Sequence, residues 1–265
     1  MRKNSSKEAL QVKKLLKKHK INLNILTNLK VIKKNIQSEA RKVRYELLTK
    51  FCKKKNVKTI LTAHNLEDQV ETFFIRLSRG SGLTGLSAMK ASSEINKNLK
   101  LFRPLLNIRK KELILISKKV FGKYFKDPSN KDKKYLRTKI RNLKKPLIKS
   151  GINYDQIIKS INNLASSKDT LDHYYKKTFK ELVKKNKGEV TSNLRIFNDL
   201  KKEIKIRIIN DSIRLLKKNY YNLRSQKVGN LIHKLKGKNF RKSTLGGCIF
   251  YVKEDKLYVK IEKQY

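Results

Sequence analysis

Between Leu61 and Leu86 the chain reads LTAHNLEDQVETFFIRLSRGSGLTGL, and here its residue types are best suited to chemistry. His64 precedes Asp68 by four residues and Glu71 by seven, so both carboxylates share a face if a helix starts just after the histidine. An imidazole in that position suits contact with a phosphate or transfer of a proton. Two carboxylates on one face suit a divalent metal, an ammonium group, or simple pairing with basic side chains, and spacing alone does not choose among these. Gln69 adds an amide on the same helix. Gly80, Ser81 and Gly82 follow, with backbone N–H groups suited to an anion, although such a turn is also an ordinary helix stop.

Four arginines extend the set. The chain carries 68 Lys and Arg against 21 Asp and Glu, a formal charge of +47, and lysine far outnumbers arginine. A position that needs the planar, bidentate guanidinium keeps arginine against that background. Arg103, Arg109, Arg137 and Arg141 are therefore candidates for holding phosphate or carboxylate. Arg137 and Arg141 lie four apart and share a face if their run is helical. Asn35, Gln37, Arg41 and Arg44 read as solvated polar positions.

These groups need a frame, and the hydrophobic pattern supplies one. Ser5 to Lys18 reads as a helix, Ile21 to Thr27 as a short strand, and Asn35 to Lys53 as a longer helix with Ile36, Ala40, Val43, Leu47 and Phe51 in one stripe. Val57 to Ala63 reads as a strand buried on both faces. Leu66 to Leu77 is the next helix. Leu101 to Leu106 reads as extended, Lys110 to Phe121 as a helix, Asp127 to Asn130 (DPSN) as a rigid turn, and Tyr135 to Leu147 as carrying the paired arginines. Alternation of this kind favours an α/β fold with a parallel sheet and flanking helices, over residues 1–150. His64 then sits at the end of a strand, where open α/β sheets usually bind ligands. Only two convincing strands precede Gly80, fewer than such a sheet usually has. From 151 to 240 the pattern reads as an all-helical domain. Residues 241–265 read as a closing β-hairpin, with period two on either side of Glu254 and Asp255.

Composition narrows the function classes. So large a positive charge repels itself unless polyanions offset it, and nucleic acid is the natural partner. Richness in Lys, Asn and Ile together is also what an AT-rich genome encodes, so part of the excess is ordinary surface. No stretch approaches the apolar length of a membrane span, and no export signal follows the basic N-terminus. Cys52 and Cys248 have no metal-ligand spacing and read as buried free thiols, which fits a cytoplasmic protein.

NIQSEARKVRYELL (residues 35–48), TAHNLEDQVET, RLSRGSG, TGL, RPLL at Arg103 to Leu106, DPSN, YLRTKIR at Tyr135 to Arg141 and STLGG at Ser243 to Gly247 occur in this order. Together they resemble the tRNA(Ile)-lysidine synthases of bacteria, N-type ATP-pyrophosphatases with an adenine-nucleotide α-hydrolase-like fold. The resemblance implies adenylation of C2 of the wobble cytidine in a CAU anticodon, followed by attack of L-lysine to give lysidine, AMP and pyrophosphate. ATP and Mg²⁺, L-lysine and tRNA(Ile) are the implied cofactors and partners, with room for a homodimer and no membrane. It places His64, Asp68, Glu71 and Arg137 in catalysis. His64, Gln69, Gly80, Ser81 and Gly82 fall to the nucleotide, and Asp68, Glu71, Arg103, Arg109, Arg137 and Arg141 to the substrate. No metal ligand set is assigned. The helical residues 151–240 are expected to supply most tRNA contacts.

Two departures qualify the expectation. Asn65 and Glu67 stand where the family usually has a second histidine and a first aspartate. Family members also open with a strand and an SGGxDS phosphate loop, which these 265 residues do not contain. The chain is therefore expected to correspond to a family member without its first several tens of residues, with little or no turnover alone. The competing readings are a non-catalytic tRNA-binding remnant and a related tRNA-thiolating ATP-pyrophosphatase. The latter commonly uses paired cysteines, which this chain lacks.

Overall fold

The computed structural model describes residues 5–28, 32, 36–125, 136–217, 220, 223, 225–237 and 240–262. The DPSN turn and Tyr135 lie outside the described residues, as does Asn35. The chain divides into two compact units, Met1–Ser166 and Ser167–Tyr265.

The first unit holds helices α1 (Ser5–Lys18), α2 (Ile36–Lys54), α3 (Leu66–Leu77), α4 (Leu83–Leu86), α5 (Lys110–Phe121), α6 (Leu136–Asn142) and α7 (Lys144–Lys149). The first part of α8 (Tyr154–Leu182) also belongs to it. Its sheet has three strands, β1 (Thr59–Leu61), β2 (Ser92–Asn96) and β3 (Leu99–Phe102), in the order β1-β3-β2. β1 pairs with β3 in parallel, Ile60 opposite Leu101, while β2 runs antiparallel to β3. The fold is thus α/β, with an antiparallel edge strand on the parallel pair, a common arrangement. The turn that creates β2 is visible locally: the Asn98 N–H donates to Asn96 Oδ1 at 3.0 Å.

Ile60, Leu99, Leu101 and Cys52 form one small core. Leu66 and Val70 of α3 join Ala88, Tyr154, Ile157 and Ile161 in another. Two strand expectations are corrected. β1 buries only Ile60, and Leu61 is 67% exposed, so this strand is not covered on both faces. Residues 21–28 form neither helix nor strand. Their alternation is real, yet Ile21 and Ile25 are exposed, and a strand exists only where another offers it a ladder.

The second unit is not all-helical. It contains the rest of α8, α9 (Leu194–Asp199), α10 (Lys202–Leu216) and α11 (Ser225–Leu235). These accompany a five-stranded antiparallel sheet of β4 (Val183–Asn186), β5 (Glu189–Asn193), β6 (Lys242–Leu245), β7 (Cys248–Lys253) and β8 (Lys256–Ile261), ordered β4-β5-β8-β7-β6. The predicted hairpin is β7–β8, turning through Glu254 and Asp255 at positive φ. β4 (VKKN) and β5 (EVTSN) escape the periodicity because they are short and mostly polar. They are fixed by the pairing of β4 with β5 and of β5 with β8, and by Gly188 at φ +77°. Phe197, Ile208, Ile209, Ile213, Phe250 and Leu257 are the large fully buried residues of this core.

Candidate active site

Parallel pairing of β1 and β3 brings the carboxyl ends of both strands to one edge, where the Thr62 N–H still donates to the Phe102 carbonyl at 2.9 Å. Just beyond those ends stand His64 and Arg103. α3 begins at once, and its first turn is held by a reciprocal cap. The Asp68 N–H donates to Asn65 Oδ1 at 3.0 Å, and the Asn65 N–H donates to Asp68 Oδ2 at 3.1 Å. Asn65, the residue that departs from the family pattern, is therefore the N-cap, a role asparagine fills well.

His64 Nδ1 lies 2.9 Å from Thr62 Oγ1, which fixes the ring. Burial lowers the His64 pKa from its ordinary value. Asp68 opposes that effect, while Arg103, Arg41 and Arg137 reinforce it. The imidazole is therefore neutral at pH 7, within the field of one carboxylate and three guanidiniums. Arg103 is 8% exposed, with Nη1 donating to the Lys90 carbonyl at 2.7 Å and to Ser93 Oγ at 3.2 Å. Its buried Nε has no partner, and burial together with Arg41 lowers its pKa. Arg41 itself lies over the Tyr45 ring at 5.0 Å. An anion near His64 would meet this convergent positive charge.

Other predicted residues are committed elsewhere. Glu71 is 1% exposed and takes a bidentate contact from Arg141, Nε to Oε1 at 2.7 Å and an Nη to Oε2 at 3.0 Å. Arg137 Nε lies 3.3 Å from Oε2, and an Nη of Arg137 reaches Thr72 Oγ1 at 3.4 Å. The pairing raises the Arg141 pKa. Glu71 thus binds α3 to α6 and aims the arginines, and it is buried beneath them. Gln69 is engaged by the Met89 backbone, with Nε2 donating to the Met89 carbonyl at 2.9 Å and Oε1 accepting the Met89 N–H at 2.8 Å. Glu67 accepts the Lys110 N–H at 2.8 Å. Arg109 pairs with Asp155 at 2.5 Å and caps the start of α5, so it acts as a strut.

The Gly80-Ser81-Gly82 cradle is also corrected. The N–H groups of Gly80 and Ser81 donate to the carbonyls of Leu77 and Arg76, closing α3, and Gly82 caps α4. The turn follows the far end of a 12-residue helix, about 18 Å of helical rise from His64. Arg76 was not singled out from the sequence. It holds the α4 segment through 2.7 Å bonds to the Gly85 and Ala88 carbonyls. The scarcity of arginine that marked Arg103 would have marked it too. Thr62 left no such signal, since a threonine after a strand is commonplace.

What remains is His64, Asp68, Arg103, Arg41 and Arg137 about one strand edge. Among the described residues no three His, Cys, Asp or Glu side chains cluster as a metal site. Asp68 offers a single carboxylate, enough for a magnesium ion that takes its other ligands from water and phosphate.

A family described as PP-loop domain matches residues 1–147. The tRNA(Ile)-lysidine synthase of Wolbachia pipientis wMel is 37% identical over 219 residues, covering 82% of this chain and 51% of that protein. The enzyme of the same name from Orientia tsutsugamushi (strain Boryong) is 44% identical over 114 residues, 43% of this chain and 25% of that protein. The chain spans about half the length of most of these curated relatives. Among solved structures, the U34-tRNA thiolase NcsA from Methanococcus maripaludis superposes with a TM-score of 0.48 at 21% identity, over 61% of this chain and 56% of that one.

Proposed function

The chain belongs to the PP-loop domain family, and from that premise we propose that it serves tRNA(Ile)-lysidine synthesis. In the reaction, O2 of the wobble cytidine in a CAU anticodon attacks the α-phosphorus of ATP and pyrophosphate leaves. The ε-amine of L-lysine then attacks C2, AMP departs with the former O2, and the amine loses its proton. The observation that carries this reading is the edge formed by His64, Asp68 and Arg103, in a chain whose curated relatives bear that enzyme's name.

Each residue's part follows from what already occupies it. His64, neutral and held by Thr62, with Arg103 and Arg41, suits the ATP phosphates. Asp68 faces the site with no ion pair among the described residues, so it suits the lysine ammonium or a shared magnesium. Magnesium, when bound there, would offset phosphate charge. Glu71 holds Arg141 and Arg137, and Arg137 is the arginine of the pair with capacity left for the nucleotide or the tRNA. A thiolation reading is less well supported, since Cys52 and Cys248 are both buried and belong to different units.

The test is nucleoside mass spectrometry of a CAU-anticodon transcript after incubation with the protein, ATP, Mg²⁺ and L-lysine. Lysidine in the digest supports the reading. Tight tRNA binding with cytidine intact favours the non-catalytic RNA-binding alternative, and neither binding nor product refutes both.

A further inference from the structure

In the second unit, α9, the start of α10 and one side of α11 surround an open cavity of about 790 Å³. Lys201, Lys202, Lys205, Lys236 and His233 line it, against the single carboxylate of Asp199. Three features set this cavity apart from generic lysine-rich surface. Lys205 is 4% exposed, and its ammonium donates to the Asn198 carbonyl at 2.6 Å without an ion pair among the described residues. Burial, reinforced by Lys236, lowers its pKa. α10 opens here with Lys201 as its N-cap and no side-chain cap, so lysines crowd a helix end that favours negative charge. Its first-turn acid, Glu203, is turned to Arg207 at 3.0 Å. Finally, Asn198 Oδ1, on the same wall, is buried without a hydrogen-bond donor.

We propose that this cavity is an RNA-backbone site. A phosphate is taken by the first-turn N–H groups of α10 with the ammonium groups of Lys205, Lys202 and Lys236. The adjoining ribose gives its 2′-hydroxyl proton to Asn198 Oδ1. The phosphate supplies the anion that uncapped N–H groups and a buried lysine both lack. The hydroxyl supplies the missing donor, and it is the group that distinguishes RNA from DNA. That the RNA is a tRNA rests on the function proposed above; the site itself does not involve His64 or Asp68.

The experiment measures binding of a labelled tRNA transcript, and of DNA of the same sequence, to the full chain across a salt series. Lys202→Ala/Lys236→Ala is expected to weaken RNA binding about 10-fold and to flatten the log–log salt slope by about 1. Lys176→Ala/Lys177→Ala, an exposed pair on α8 carrying the same charge change, serves as control and should cost less than about 3-fold. Equal losses from the two pairs overturn the site while leaving the tRNA reading intact. No RNA binding by the unaltered chain overturns both. Lys205→Met should weaken RNA binding while keeping or raising the urea midpoint. Unchanged RNA affinity in that variant marks Lys205 as a packing residue and overturns its role. Asn198→Ala should narrow the preference for RNA over DNA, and an unchanged ratio overturns the hydroxyl contact.

Discussion

Glu71→Gln separates a framework role from a ligand role for the most buried acid of the candidate site. The carboxylate is 1% exposed and meets Arg141 at 2.7 Å and Arg137 at 3.3 Å, while those side chains are 31% and 43% exposed. Removing one member of a fully buried ion pair costs about 3–5 kcal/mol. Water reaches both guanidiniums here and resolvates part of what is lost, so the cost falls to about 2 kcal/mol. Urea unfolding of the full chain measures it, with Arg141→Met and the double variant completing a cycle. The bidentate geometry leads to a coupling of about 1–2 kcal/mol between Glu71 and Arg141. A coupling under about 0.5 kcal/mol, together with a changed affinity for L-lysine at unchanged stability, would mean that Glu71 holds the substrate and that its pairing with arginine is incidental.

Gln69→Ala removes both bonds to Met89 and leaves a part-buried N–H and carbonyl unpaired; a loss of about 2–3 kcal/mol in urea unfolding is expected. The glycines should rank by geometry: Gly85→Ala, whose new Cβ would lie 2.5 Å from Ser81 Cβ, destabilises most, Gly80→Ala (φ +66°) by about 1 kcal/mol, and Gly82→Ala least. Nucleotide affinity should be unmoved in the Gly80 and Gly82 variants, as calorimetry with ATP would check. For His64 the folded pKa lies below the unfolded value near 6.5. The unfolded chain therefore takes up the proton first, and stability falls as pH drops below about 6.5. Comparing urea midpoints between pH 7.5 and 5, His64→Gln should show a shallower decline than the unaltered chain. Asp68→Asn keeps an acceptor for the Asn65 N–H, so stability should move by less than about 1 kcal/mol while lysidine formation falls sharply.

Much of the frame was legible because it depends on local periodicity. The spans of α2 and α3 and the β7–β8 hairpin follow from spacing alone, but α2 meets the sheet core through Tyr45, Leu48 and Cys52 and not through the expected stripe, whose Ile36 is exposed. The failures occur where pairing decides. Residues 21–28 alternate as a strand would, yet find no ladder. β2 and β4 lack a hydrophobic face and exist because β3 and β5 accept them. Among site residues, His64 was placed by the strand end that carries it, while Arg103 was marked by the scarcity of arginine and stands just past β3. For Gln69, Arg109 and Glu71 the partners were not legible, because sequence reports a side chain's chemistry and not what already occupies it.

Occupancy also explains how one short helix serves two purposes. α3 carries Glu67, Asp68, Gln69 and Glu71 within a turn and a half. The Lys110 backbone takes the first, the Met89 backbone the third, and two arginines the last. Each such contact ties α3 to a different segment of the first unit and makes its first turn rigid. Among the described residues Asp68 keeps only its cap contact, beside a histidine held by Thr62 and an arginine with an idle donor. On the proposed reading the site holds an ammonium and a polyphosphate together, which calls for one mobile-proton group, one uncommitted carboxylate and fixed positive charge on a backbone that does not yield. The structural pairs on α3 provide that stiffness, and on this reading they account for the acids other than Asp68.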